Sequence, residues 1–234
     1  MMKKLIAIFV VLSLVSCAKE VPKTEIKKEK IPETKVWVSK NQNFLNKFKT
    51  IEFDTLQVYS IDDINKNKNY KFKGDSLKEN EIKPVLFFLS HEEIEGFENA
   101  DFHAVNKFNL DNNELGLIAR TMREYWASSI KLYSYNKQKD KIISFIELAE
   151  KSGDAGDSFD KRSWILKDKN KNYKIFIWTH FEHDNTVEED PKTPNYKEDN
   201  YYLVRFNQGN FDTISKNKKQ LEKQFSKIIK KESL

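Results

Sequence analysis

The sequence predicts a mainly β domain: an antiparallel sheet, arranged as a sandwich or a partial-propeller-like array, with an amphipathic helix at its C-terminus. Three observations predict it. From residue 101 onward, short apolar or alternating runs recur at close intervals, parted by polar turns rich in Asn, Asp and Lys. Few helical patterns intervene, which argues against parallel βαβ units. The chain has 6 glycines, and no glycine-rich loop follows a strand pattern, which argues against a nucleotide-binding fold.

Taken in order, the folded part begins at Val36, where Val36-Trp37-Val38 precedes a helical spacing of Phe44, Leu45 and Phe48. The run from Ile51 to Ile61 reads as strand. A turn from Asn65 to Asn69 leads to a strand begun by Tyr70 and Phe72 and ended by Gly74. Val85 to Leu89 (VLFFL) is continuously apolar and reads as a fully buried strand. Ser90 and Glu93 resemble a capping box, opening a short helix that Gly96 ends.

Phe102, Ala104, Phe108 and Leu110 share one parity. Leu115–Arg123, Ser129–Asn136 and Lys141–Glu150 follow as strands. Lys151 to Lys161 (KSGDAGDSFDK) reads as a loop. Ser163–Leu166 and Tyr173–His180 form a hairpin around Asp168–Asn172. Glu182 to Asn200 is acidic and carries Pro191 and Pro194, so it reads as an exposed loop. Tyr201–Phe206 and Phe211–Ile214 make a last hairpin through Asn207–Asn210. In the closing helix, Lys216 to Lys231, residues Leu221, Phe225, Ile228 and Ile229 fall on one stripe. A stripe of this kind suits packing on a sheet better than lying on anionic lipid.

Residues 1–35 have a different character. Lys3 and Lys4 precede an apolar run, Leu5 to Val15, of signal-peptide length; a bilayer-spanning helix needs about 20 such residues. Leu14-Val15-Ser16-Cys17 follows at once and resembles the lipobox of bacterial lipoproteins. The resemblance implies cleavage after Ser16 and acylation of Cys17. Residues 1–16 are then a signal peptide, 17–35 a lipidated cysteine and tether, and 36–234 one mainly β domain. Two or three acyl chains hold a protein stably on a bilayer where one does not. Cys17 is the single cysteine, so the mature chain has no thiol left for a disulfide, a nucleophile or a thiolate metal site. Ala18 to Lys35 mixes Lys, Glu and two prolines without an apolar face; extended, it reaches roughly 55 Å. Lys and Arg number 41 against 36 Asp and Glu, so the charge is near balance and gives no bulk case for nucleic acid.

Several sites are worth locating. Asp63-x-Asn65-x-Asn67 and Asp168-x-Asn170-x-Asn172 place oxygens at alternate positions, as a calcium loop does. Both lack its central glycine and closing glutamate, which favours polar turns. Asp154, Asp157 and Asp160 could gather about calcium, and His180, Glu182 and His183 offer a mixture that zinc favours. His91-Glu92-Glu93-Ile94-Glu95 begins like a zinc-protease helix but has Glu95 where the second histidine belongs. The competing reading of all these is exposed polar turn chemistry, with no cofactor. Arg120, Arg123, Tyr125 and Trp126 form the richest cluster for ligand binding. Trp164 and Trp178 read as core or cross-strand partners. There is no Gly-x-Ser-x-Gly, and no residue here reads as catalytic.

The segments SSIKLYSYNKQKDK, IELAEKSGDAGDSFDKRSWILKDKNKN and FDTISKN resemble a group of bacterial lipoproteins to which no activity is attached. The expectation is an exported protein, anchored to the envelope through Cys17 and to the outer membrane in a Gram-negative host. It acts by binding an envelope protein or glycan; a metal-assisted hydrolase and a structural envelope component are the alternatives. Replacing Cys17 with Ser is expected to move the protein from the membrane pellet to the soluble fraction. Intact-mass spectrometry of the wild-type protein should show the leader gone and acyl mass added at Cys17.

Overall fold

Ser128 to Tyr135 is buried at every position, so this strand is covered on both of its faces. Ile130 and Leu132 enter one apolar cluster and Tyr133 and Tyr135 another, as the two-residue period of a strand requires. The rest of the architecture supplies those two covers. This is a computed structural model, and the structure describes residues 37–61, 67, 69–89, 102–122, 128–170, 172–187 and 194–232.

Among the described residues, eleven strands join in one mixed sheet that does not close on itself. The short strands are β1 (Lys49–Thr50), β2 (Thr55–Val58) and β3 (Asp75–Ser76). The long ones form an antiparallel meander: β4 (Phe102–Asn109), β5 (Glu114–Met122), β6 (Ser128–Asn136), β7 (Lys141–Asp154), β8 (Asp157–Lys167), β9 (Tyr173–His183), β10 (Tyr196–Asn207) and β11 (Asn210–Ser215). β1 lies parallel to β4, and β3 antiparallel to it.

β8 carries the sheet from one layer into the next. Its first half, Asp157 to Lys161, pairs with β7; its second half, Ser163 to Leu166, pairs with β2. Beyond that fork Ile118, Ile130 and Leu132 meet Ile165, Ile175 and Ile177 in the central core, with Val58 of β2. The outer face of β4–β6 is covered by N-terminal residues. There α1 (Gln42–Leu45) and the segment after it set Phe44, Leu45, Phe48, Leu77 and Ile82 on Phe102, Leu117 and Tyr133. The outer face of β8–β10 is covered by the C-terminus, where Leu221 and Phe225 pack on Trp164, Phe176 and Tyr201.

The mainly β class agrees with the sequence reading, and so do the strands from Leu115 to Glu150 and the hairpins around Asp168–Asn172 and Asn207–Asn210. Several local readings are corrected. Val85–Leu89 is not a strand: Leu86–Phe88 forms a 3-10 turn that buries Val85 and Leu89 but leaves Phe87 91% exposed. The run VLFFL thus buries residues four apart, not a continuous stretch. Tyr70 and Phe72 reach the central core from a turn, and pairing begins only at Asp75. Within Ile51–Ile61 only Thr55–Val58 pairs.

Lys151–Lys161 is no loop but the tip of the β7–β8 hairpin, closed by Ala155 at φ 48° and Gly156 at φ 93°. Two successive positive φ values match the twist of paired strands, so two residues suffice to turn the chain. Ordinary turn composition had concealed that hairpin. Glu182–Asn200 likewise contains the end of β9, a 3-10 turn at Asn185–Val187 and the start of β10. The capping box at Ser90–Gly96 lies outside the described residues.

The single helix read from Lys216 to Lys231 is two: α2 (Lys218–Gln224) and α3 (Ser226–Glu232). Asn217 caps α2 by accepting from the Gln220 amide. Phe225, between the helices, leaves helical geometry and stacks on Phe176 with centroids 4.1 Å apart. Phe225→Ala is expected to lower unfolding free energy by about 3 kcal/mol, since a buried ring and its cavity are both lost. A urea midpoint shifted with unchanged slope checks this; no shift would mean the helices contribute nothing to the sheet.

Candidate functional site

Successive turns of an antiparallel meander fall alternately at its two ends. The β4–β5, β6–β7 and β8–β9 turns therefore share one end, and they build a cleft there of about 540 Å³. Leu110 and Tyr173 line it beside Lys137, Lys167, Asn170 and Asn172. A neighbouring cleft of about 450 Å³ shares Asn109, Lys167 and Tyr173 with it and adds Trp37, Lys107 and Glu52.

The amines in these clefts are positioned by local contacts. The Lys137 Nζ donates to Asn109 Oδ1 at 3.0 Å and to the Asn112 carbonyl at 3.2 Å. The Lys107 Nζ donates to the Leu45 carbonyl at 2.7 Å. The Lys167 Nζ lies 5.8 Å from the centroid of the Tyr173 ring, within cation–π range. Burial lowers the pKa of Lys107 and of Lys137; for Lys137 the charges of Asp111 and Glu114 oppose that shift. The Tyr173 hydroxyl is pushed up by burial and then by the Glu52 charge.

Trp37 is fixed on the cleft edge by a donated bond from its Nε1 to the Lys137 carbonyl, 2.8 Å. Its ring meets Tyr135 edge-on, with centroids 6.3 Å apart. Tyr135 in turn belongs to a polar corner built on Asp140, whose carboxylate accepts from Ser39 Oγ at 2.6 Å, Tyr135 Oη at 2.8 Å and the Lys40 amide at 2.8 Å. Asp140 sits at φ 53°, a conformation Asp tolerates better than most residues. The hydrogen bond from Ser39, followed by those from Tyr135 and Lys40, holds its carboxyl below the usual range against some desolvation.

The calcium-like turn at Asp168 is an Asx turn. Its Oδ1 accepts from the amides of Asn170 and Asn172, both at 2.9 Å, and those bonds lower the Asp168 pKa. The carboxylate thus orders the loop carrying the cleft's amides. In the other such turn Asn67 Oδ1 accepts from the Asn69 amide at 3.2 Å, while Asp63 and Asn65 lie outside the described residues.

The six proposed metal ligands lie along β7–β9 and do not converge. Asp157 and His183 are cross-strand partners, joined Oδ1 to Nδ1 at 2.7 Å. Asp160, His180 and Glu182 occupy the opposite face, following strand alternation. There Asp160 pairs with Arg162 at 2.6 Å and Glu182 with Lys197 at 2.6 Å. His180 Nδ1 is 3.0 Å from Asp199, which also accepts from Trp178 Nε1 at 2.8 Å. Asp154 sits at the hairpin tip opposite Asp157. Among the described residues, no group of three or more His, Cys, Asp or Glu is arranged to hold a metal ion.

Of the ligand-binding cluster, Arg120 is buried on β5, where its Nε donates to the Lys73 carbonyl at 3.2 Å. Arg123, Tyr125 and Trp126 lie outside the described residues, as do Cys17 and His91–Glu95. Trp164 is core and Trp178 packs beside it, as read from the sequence. Sequence reasoning missed Lys107, Asn109, Lys137 and Lys167. The signal for three of them was available, because every second turn of a meander meets at one end.

The family described as SPAN-X, sperm protein associated with nucleus, mapped to X chromosome, matches residues 17–101. The similarity covers less than half of the chain and stops before β4. No curated protein and no solved structure matches the chain. Among the described residues no helix is long and apolar enough to cross a membrane.

The Asp140 corner has a pH signature. A depressed folded pKa contributes stability that is present above the unfolded value, near pH 4, and is lost as pH falls through the folded value. Asp140→Asn is therefore expected to lower stability at pH 7 and to flatten the loss as pH falls below about 4. Urea unfolding at stepped pH checks both signs.

Proposed function

We propose that the chain is an exported lipoprotein, moored to an envelope membrane by acyl chains on Cys17. Its β domain acts by binding an envelope glycan or protein segment in the turn-end cleft, without turning it over. In a Gram-negative host the membrane is the outer one. No nucleic acid is involved, given the near-balanced charge.

The observation that carries the binding reading is the cleft itself. Its size lies in the range of ligand sites. Its side chains are amides, lysines and the Tyr173 ring, with Trp37 on the neighbouring cleft, and Lys137 is held by bonds across to the β4–β5 turn. Such groups recognise hydroxyls and charges and fix orientation. The tether reading adds reach, since a domain on a flexible arm can engage ligands beyond the bilayer surface.

The test is equilibrium binding of fractionated envelope polymers by the full-length protein in detergent, followed by chemical analysis of what is released. The expected outcome is saturable binding, weakened by a substitution at the cleft such as Asn170→Ala, with the polymer recovered unchanged. Polymer recovered cleaved, with cleavage abolished by one substitution, would replace this reading with a hydrolase.

A further inference from the structure

We propose that the 540 Å³ cleft takes an oxyanion carried on a sugar chain, a carboxylate or a phosphate, seated between Lys137 and Lys167. This deepens the binding reading above and rests on it. The argument is an inventory of donors and acceptors. The acceptors nearest the lysines are consumed within the protein: Asn109 Oδ1 and the Asn112 carbonyl by Lys137, and Leu45 O by Lys107. Asp111 also lines the cleft, where its Oδ1 accepts from the amides of Asn113 and Glu114 at 2.7 and 2.8 Å. Asp168 is likewise occupied by the amides of its own loop.

What remains toward the cleft is donor-rich. An ammonium has three N–H donors, so Lys137 retains one beyond its two bonds. With Oδ1 of Asn109 taken up by Lys137, the Nδ2 of the same amide is left to donate. Lys167 stands over the Tyr173 ring on the other wall. Lys137 is partly buried, so its charge is screened less than that of an amine in water. The acidic Glu52 belongs to the neighbouring cleft on the Trp37 side. At the other end Asp111 and Glu114 offset part of the Lys137 charge, so Lys137 and Lys167 together, rather than Lys137 alone, seat the oxyanion.

Calorimetric titration of the full-length protein in detergent tests this, using a hexauronate, a sugar phosphate and a neutral hexose hexamer. The hexauronate or the sugar phosphate is expected to bind, and whichever binds identifies the source of the oxyanion. Raising salt from 50 to 500 mM should weaken that binding about tenfold. Lys167→Glu should weaken it tenfold or more, and Lys137→Gln by a smaller factor, with unchanged circular dichroism. Equal affinity for the neutral hexamer, insensitive to salt, would overturn the oxyanion assignment and leave the cleft as a binding site. Binding of none of the three by folded protein would overturn both. If Lys167→Glu fails to fold, Lys137→Gln and the salt series decide between the same outcomes.

Discussion

The fold depends on strands that are apolar on both faces. An antiparallel sheet commonly leaves one face to solvent. Here β6 cannot, because Ile130 and Leu132 point one way while Tyr133 and Tyr135 point the other. Burying a side chain of this size contributes roughly 1.5–3 kcal/mol, so leaving either face wet forfeits several such terms. The chain meets the requirement by turning its own sheet back, through β8, to cover one face. It spends its N-terminal segment on the other. The same need recurs in the second layer, where Trp164, Phe176 and Tyr201 are covered by the two C-terminal helices.

That layering also makes the cleft. When β8 leaves β7 to pair with β2, the β8–β9 turn is carried across from the β4–β5 and β6–β7 turns, and space opens between them. Polar side chains on the three turns fill its walls because turn residues are Asn, Asp and Lys for conformational reasons. Their second use as a binding surface follows from position. The Asp168 carboxylate illustrates the overlap: it orders its loop through the amides of Asn170 and Asn172, and the ordered loop presents those side chains to the cleft.

Much of the meander was legible because its hairpins carry alternating apolar residues between polar turns. Where the reading failed, a local signal pointed one way and packing another. VLFFL looked like a buried strand, yet Val85 and Leu89 are buried, Phe88 packs part-buried beside them and Phe87 is left in solvent. KSGDAGDSFDK looked like a loop because Gly and Asp mark turns, but two residues make the turn and the rest pair. The apolar stripe of the C-terminal helix was right about its partner surface and silent about the break, which falls where Phe225 stacks on Phe176. The site was less legible than the fold. Histidines and aspartates drew attention by type, whereas strand alternation places Asp157 and His183 on one face and His180 and Glu182 on the other.

By itself the sequence determined the β class, the strand periods and the polar turns, since each follows from the chemistry of residues within a few positions of one another. Its resemblance to a lipobox at Leu14-Val15-Ser16-Cys17 is likewise a purely local pattern. Only the tertiary structure decided which strand faces are covered, where the sheet forks and which turns meet. Those outcomes depend on contacts between residues about 30 to 100 positions apart, such as Trp37 with Lys137, and no local pattern encodes a partner that distant.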